Sequence, residues 1–169
     1  MATTTQIAIE TYLKTSYKPD CDFVDGEIEE RNLGEFDHAA LQAAIVAFFY
    51  ANRQRWNVHV LPEQRVRVSA TRVRIPDVCL VSRDLPIEQV ITKPPLVVAE
   101  ILSPEDRVRR YNTRLEDYHA MGVQNIWVID PATQKGFDWV SGWHERERFE
   151  AAGTPIFLDL PGLFAELAK

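Results

Sequence analysis

Two carboxylates stand where a purely structural strand would not place them. Glu100 interrupts the apolar run Leu96-Val97-Val98-Ala99-Glu100-Ile101-Leu102. Burying a carboxylate costs on the order of several kcal/mol unless it is paired, protonated or bound to a cation. Asp77 lies in Arg74-Ile75-Pro76-Asp77-Val78-Cys79-Leu80-Val81. Pro76 cannot donate to a sheet ladder, so the strand is disturbed at that point. Glu100 follows Asp77 by 23 residues, and strands so close in sequence tend to be neighbours. Converging, the two would offer hard oxygen ligands of the kind Mg²⁺ or Mn²⁺ takes. The alternative is that each pairs with an arginine, such as Arg74 or Arg114.

The elements that must carry these residues follow from periodicity. Thr3 to Lys14 is expected as a short helix, with threonine caps and Ile9 and Leu13 on one face. Phe23-Val24-Asp25-Gly26-Glu27-Ile28 reads as a hairpin, because Asp-Gly tolerates the positive φ of a tight turn. Asp37 is expected to cap a helix running to about Arg55, with Leu41, Ala44, Ile45, Phe48 and Phe49 on its apolar face. His59–Val68 and Val73–Val81 then alternate like strands. Leu96–Leu102 has the near-continuous apolar character of a central strand. Pro104 suits the first turn of a helix continued by Val108, Tyr111, Leu115 and Tyr118 and stopped by Gly122. Asn125–Ile129, Gly136–Val140 and Trp143–Phe149 are further strands, and Pro161 starts a last short helix. The order gives a single α/β domain over residues 1–169, a mixed layer fold and not a regular βαβ wind.

Composition bounds the rest. The 169 residues are 46% hydrophobic and 26% charged, which suits one soluble globular domain and excludes wholesale disorder. Two cysteines, Cys21 and Cys79, exclude a disulfide framework. Apolar runs are too short to span a membrane and the start lacks a signal-peptide pattern, so a cytoplasmic protein is expected. The net charge is −6, with three basic and nine acidic residues in 1–37 and a balanced remainder. Within that remainder Arg53–Arg74 holds six arginines against Glu63 alone, and Arg107, Arg109, Arg110 and Arg114 form a second basic group. Such a chain is not coated in nucleic acid, yet a local phosphate-binding face fits it. No glycine-rich phosphate loop, zinc-type histidine spacing or serine–histidine–acid order is present.

An ordered set of motifs resembles a known family. Val24-Asp25-Gly26-Glu27, His38, Pro76-Asp77, Glu100-Ile101-Leu102-Ser103-Pro104, Arg114, Tyr118, Gly122-Val123 and Trp127-Val128-Ile129-Asp130-Pro131 occur in that order. The set, over roughly residues 5–150, resembles the putative restriction endonuclease family of the PD-(D/E)XK nuclease superfamily. The resemblance implies a restriction-endonuclease-like fold, with a central mixed β-sheet flanked by helices. It implies an Mg²⁺- or Mn²⁺-dependent endonuclease that hydrolyses phosphodiester bonds in DNA, and often a homodimer. Asp77, Glu100 and the Ile101 carbonyl would be metal ligands. Glu27 would be the upstream acid and Arg114 would stand at the catalytic lysine position.

Arginine there can neutralise phosphate charge but cannot take a proton from water. A fold that binds DNA or protein without cutting is therefore the competing expectation. Arg114 shares a helical face with Arg107 and Arg110, which would contact substrate phosphates, or would form a solvated face partnered by Glu116 and Asp117. His38 and Gln64 are the remaining expected substrate-side residues.

Overall fold

The computed structural model describes residues 6–32, 34–104, 106 and 108–168. A short helix α1 (Ile9–Lys14) leads into a hairpin of β1 (Cys21–Val24) and β2 (Glu27–Glu30). Asp25 and Gly26 both take positive φ at its turn, 50° and 93°. A two-residue hairpin turn asks for that geometry. The expected start of α1 at Thr3 lies outside the described residues. Helix α2 (Phe36–Trp56) follows, then β3 (Val58–Pro62), β4 (Val66–Ser69), β5 (Arg72–Arg74), β6 (Val78–Ser82) and β7 (Val97–Ile101). Helix α3 (Val108–Met121) precedes β8 (Ile126–Asp130), β9 (Lys135–Trp139), β10 (Trp143–Arg146), β11 (Arg148–Glu150), β12 (Phe157–Asp159) and helix α4 (Leu160–Leu167).

The main sheet has six strands in the order β10-β9-β8-β7-β6-β3, with β7 and β8 parallel and the other pairs antiparallel. A second sheet, β2-β1-β5-β4, is antiparallel throughout. The two expected long strands are thus each broken. His59–Val68 divides at Glu63, whose φ is 50°. Val73–Val81 divides at Ile75-Pro76-Asp77, where the chain passes from the small sheet to the main one. Pro76 is the local cause, since it has no N–H to give either ladder.

Strand alternation sorts the core into two layers. Val78 and Leu80 of β6 and Val97, Ala99 and Ile101 of β7 pack with Leu41, Ile45 and Phe49 of α2. Cys79, Val81 and Val98 point the other way, into a layer with Tyr111, Leu115 and Tyr118 of α3. Glu100 alternates with Ala99 and Ile101, so it projects toward α3. Gly122 ends α3 with φ 106°, as expected for a helix stop. Two expected starts shift. Asp37 sits inside the first turn of α2, and Glu35 holds the cap position without a side-chain bond. Pro104 lies in a turn in which Asp106 accepts from the Ser103 N–H at 2.6 Å, and the helix described as α3 is Val108–Met121. None of the described helices is long and apolar enough to cross a membrane.

Gly136 marks a close approach between β9 and the C-terminal elements. A Cβ there would meet Leu160 Cδ1 at 2.2 Å and the Phe149 ring at 2.7 Å. Overpacking of this kind costs about 1–3 kcal/mol. Gly136→Ala is expected to lower stability by that amount, read as a shift of the urea midpoint at unchanged slope.

Candidate active site

The register that pairs Val78 of β6 with Ala99 of β7 makes Asp77 and Glu100 the next opposed positions. Opposed residues on one face have Cβ atoms about 5 Å apart. Asp77 is held by its main chain as well as its carboxylate. Its carbonyl accepts from Gln42 Nε2 at 2.9 Å and from the Glu63 N–H at 3.2 Å. Asp77 Oδ2 accepts from the Ile101 N–H at 2.7 Å. Asp77 Oδ1 accepts from Arg31 Nη2 at 3.0 Å and faces His38 Nε2 at 3.4 Å. Glu100 Oε1 accepts from the Tyr118 hydroxyl at 2.6 Å and from Arg114 Nη1 at 3.1 Å. Both carboxylates are buried, Asp77 at 3% and Glu100 at 1% exposure.

Their protonation differs because their partners differ. Burial works against the Asp77 carboxylate, but the His38 hydrogen bond, the Arg31 charge and the Ile101 N–H outweigh it and hold Asp77 below the usual range. Burial dominates at Glu100 and, with the Asp77 charge, pushes its carboxyl up to about 7 despite Arg114 and Tyr118. The hydrogen bond to Asp77 raises His38, favouring its protonated form. Asp22 and Glu100 outweigh burial at Arg114 and keep its guanidinium charged.

Both carboxylates open on a cavity of ≈ 300 Å³, also lined by Ile101, His38, Arg31, Arg114, Arg110 and Tyr111. The chain thus brings together Asp77, Glu100, Ile101, Arg114, His38 and Arg110. Arg110 lies at the rim, donating to the Glu30 carbonyl, with Glu29 at 3.7 Å. Arg107 lies outside the described residues. Gln64 and Glu27 do not line this cavity, which corrects two expectations. Gln64 turns its amide to the Gln89 and Arg65 carbonyls. Glu27 is exposed at the turn end of β2, opposite Val24. The acids that the hairpin does direct inward are Asp22 and, opposite it, Glu29, which accepts from buried Arg74 at 2.9 Å. Asp22 Oδ2 accepts from Arg114 Nη2 at 2.6 Å, and Glu30 lines the cavity.

Three residues of the site, Asp22 behind Arg114 and Arg31 and Tyr111 on the cavity, lie beyond the sequence reading. Asp22 and Arg31 carry no motif; the pairing of the hairpin with β5 makes them neighbours of the site. Tyr111 was legible as a core residue of α3. Among the described residues its buried hydroxyl has no hydrogen-bond partner, a costly state unless a further group completes it.

The donor set fits a hard divalent cation. Two buried carboxylates and a strand-end carbonyl are oxygen donors, and the Glu100 carboxylate is under-compensated by the arginine and tyrosine beside it. Among the described residues no three His, Cys, Asp or Glu side chains form a metal-holding group, so a cation here would complete its shell with the carbonyl, water and substrate oxygens.

Fold and site together define a restriction-endonuclease-like α/β domain with paired strand-end carboxylates. The crystal structure of a putative nuclease belonging to DUF820 from Anabaena variabilis ATCC 29413 is similar, with a TM-score of 0.79 at 19% identity, over 95% of this chain and 99% of that one. The cryo-EM structure of a DrdV–DNA complex is only slightly similar, with a TM-score of 0.41 at 14% identity over 75% of this chain and 11% of that one. No curated protein matches the chain. The family described as putative restriction endonuclease, Uma2, matches residues 9–165. The chain belongs to that family.

Proposed function

We propose that the protein is an Mg²⁺- or Mn²⁺-dependent endonuclease that hydrolyses phosphodiester bonds in DNA, acting as a homodimer when both strands are cut. The observation that carries this reading is the meeting of buried Asp77 and Glu100 at adjacent strand ends, on one open cavity lined by arginines. Asp77, Glu100 and the Ile101 carbonyl would hold the cation. Bound there, it would polarise a phosphate and acidify a water.

The remaining roles belong to the chain itself. Tyr118 fixes the Glu100 carboxylate through its hydroxyl. The Ile101 N–H and Gln42 fix Asp77. Arg114, anchored on Asp22, offers a permanent positive charge beside Glu100, where it can stabilise a phosphate gaining charge but cannot accept a proton. Protonated His38 can donate to a phosphate oxygen. Arg110 draws the substrate backbone to the rim.

A second reading has its own observation. Both carboxylates already have arginine partners, Arg31 and Arg114, and Arg114 replaces the family lysine. A DNA- or protein-binding domain that does not cut would look like this.

The deciding experiment is cleavage of supercoiled plasmid and single-stranded circles with Mg²⁺, Mn²⁺ or chelator, beside the double variant Asp77→Ala/Glu100→Ala. Metal-dependent cutting that vanishes in the double variant is expected. Arg114→Ala should cut about 10²–10³-fold more slowly, the loss typical of one transition-state donor, whereas Arg114→Lys should retain most of the rate. Equal cutting by the double variant would trace the activity to a contaminant, and silence in every preparation would favour the binding domain.

A further inference from the structure

We propose that Arg31 has two partners in turn: it is the counter-ion of Asp77 while the site lacks a cation, and a phosphate-binding residue once a cation has taken Asp77. The inference rests on the metal-dependent reading above and deepens it. Arg31 follows β2, and its side chain is largely buried, at 13% exposure. It reaches Asp77 Oδ1 at 3.0 Å, and its other acidic neighbour, the half-exposed Glu63 at the cavity rim, is farther off at 3.8 Å.

The two oxygens of Asp77 are not equivalent. Oδ2 is committed to the main-chain N–H of Ile101 within the strand-end structure. Oδ1 is the oxygen shared by side chains, Arg31 and His38. A cation entering between Asp77 and Glu100 therefore competes with Arg31 for Oδ1. A divalent cation on that oxygen would repel the Arg31 guanidinium about twice as strongly as the single charge of a protonated His38 at the same distance. Arg31 must turn away, and its other ion pair among the described residues, with Glu63 at 3.8 Å, holds it only weakly.

The displaced guanidinium remains a cavity-lining group with five N–H donors in a planar fork. A phosphodiester bound beside the cation is a complementary acceptor, and arginine meets phosphate bidentately. Arg114 differs because its Nη2 is anchored on Asp22, which is fully buried. Asp22 keeps Arg114 in place whether or not Glu100 turns to a cation. Arg31 has no such anchor, and this asymmetry assigns it the mobile role.

The test is the pair Arg31→Met and Arg31→Gln against wild type. Mn²⁺ binding to the protein alone is followed by calorimetry and by the electron paramagnetic resonance signal of free Mn²⁺. Binding of a DNA duplex is then measured with Ca²⁺ or with chelator at several salt concentrations. Both variants should bind Mn²⁺ about tenfold more tightly, a competitor worth ~1.4 kcal/mol having been removed. With Ca²⁺ present they should bind DNA about tenfold more weakly, with a salt slope lower by about one phosphate contact. In chelator the DNA defect should vanish, because Arg31 is then engaged with Asp77 in wild type.

Unchanged Mn²⁺ affinity in both variants, beside a wild type that binds Mn²⁺, overturns the inference and leaves the nuclease reading standing. So does a DNA defect of equal size with and without Ca²⁺. Absence of Mn²⁺ binding in wild type and both variants overturns the metal reading itself, and this inference with it. Matching thermal midpoints for the two variants and wild type exclude misfolding as the source of either effect.

Discussion

Glu100→Gln is expected to abolish metal-dependent DNA cleavage, by at least about 10³-fold, while making the cation-free protein more stable at pH 8. The two effects share one cause. Glu100 is 1% exposed in a strand packed on both faces. Burial lifts its carboxyl to about 7, because Arg114 and Tyr118 do not fully offset the lost hydration. Its charged form is destabilising by burial, and on the metal-dependent reading a cation beside it would reverse that. Glutamine keeps the shape and an acceptor for Tyr118 or Arg114 but cannot supply the charge that a hard cation needs. On the proposed metal-dependent reading, removing a charge-bearing ligand would cost at least as much as removing one transition-state donor, itself worth up to about 10³-fold.

The pH dependence has a definite sign. The unfolded chain loses the Glu100 proton near the ordinary carboxyl value of 4.5, whereas the folded chain holds it to about 7. Between those values the folded state binds more protons, so this residue's contribution falls as pH rises. It is fully favourable below 4.5 and fully lost above 7. The interval is worth about 3 kcal/mol at ~1.4 kcal/mol per pKa unit. Asp77 has the opposite sign: its carboxyl is depressed, and its contribution is lost as pH falls through its folded value. Urea denaturation of wild type and Glu100→Gln across this range, in chelator, measures the difference. Its growth from pH 4.5 to pH 7 is the expected result, and a flat difference would show that Glu100 is ionised in the empty site. Mn²⁺ affinity in wild type should strengthen over the same interval as the competing proton leaves.

How much of this was readable from sequence depended on whether a residue's oddity was local. Glu100 breaks an apolar run and Pro76-Asp77 breaks a strand, so both are visible within a few residues. The Asp25-Gly26 turn and the faces of α2 and α3 are equally local, and they stand as read. The breaks at Glu63 and at Pro76 were harder, because alternation continues through each while the chain changes sheets. Pro62 and Pro76 were the available signals. Motif position assigns Glu27 to the site, but register sends Asp22 and Glu29 of the same hairpin to Arg74 and Arg114. Arg31, Arg74 and Asp22 are not distinguished by composition from surface charges. The burial of Arg74 and Asp22 follows from packing the small sheet against α3, a contact across 43 and 92 residues of chain, and Arg31 reaches Asp77 across 46.

That packing supplies the largest stability effect. Arg74→Met is expected to destabilise the fold by about 3–5 kcal/mol, the loss typical of removing one partner from a buried ionic network. Arg74 is 1% exposed. Its Nε donates to Asp117 Oδ2 of α3 at 2.7 Å, and its Nη1 reaches Glu29 at 2.9 Å and Asp22 at 3.2 Å. One guanidinium thus ties both strands of the hairpin to the helix that bears Arg114. Methionine fills the volume but leaves Asp22 with only Arg114 and the Ile75 N–H against its burial. By contrast, the exposed pair Lys135–Glu145, at 51% and 55% exposure, should change stability by no more than about 1 kcal/mol when Lys135 becomes Ala. A double-mutant cycle of Arg74→Met with Asp117→Asn isolates the contact, and the second change should cost much less once the first is made. Additive losses would mean that Arg74 does not stabilise the fold through Asp117. Because Asp22 also anchors Arg114, Arg74→Met should slow cleavage even where the variant is fully folded, by loosening the acid that positions the active-site arginine.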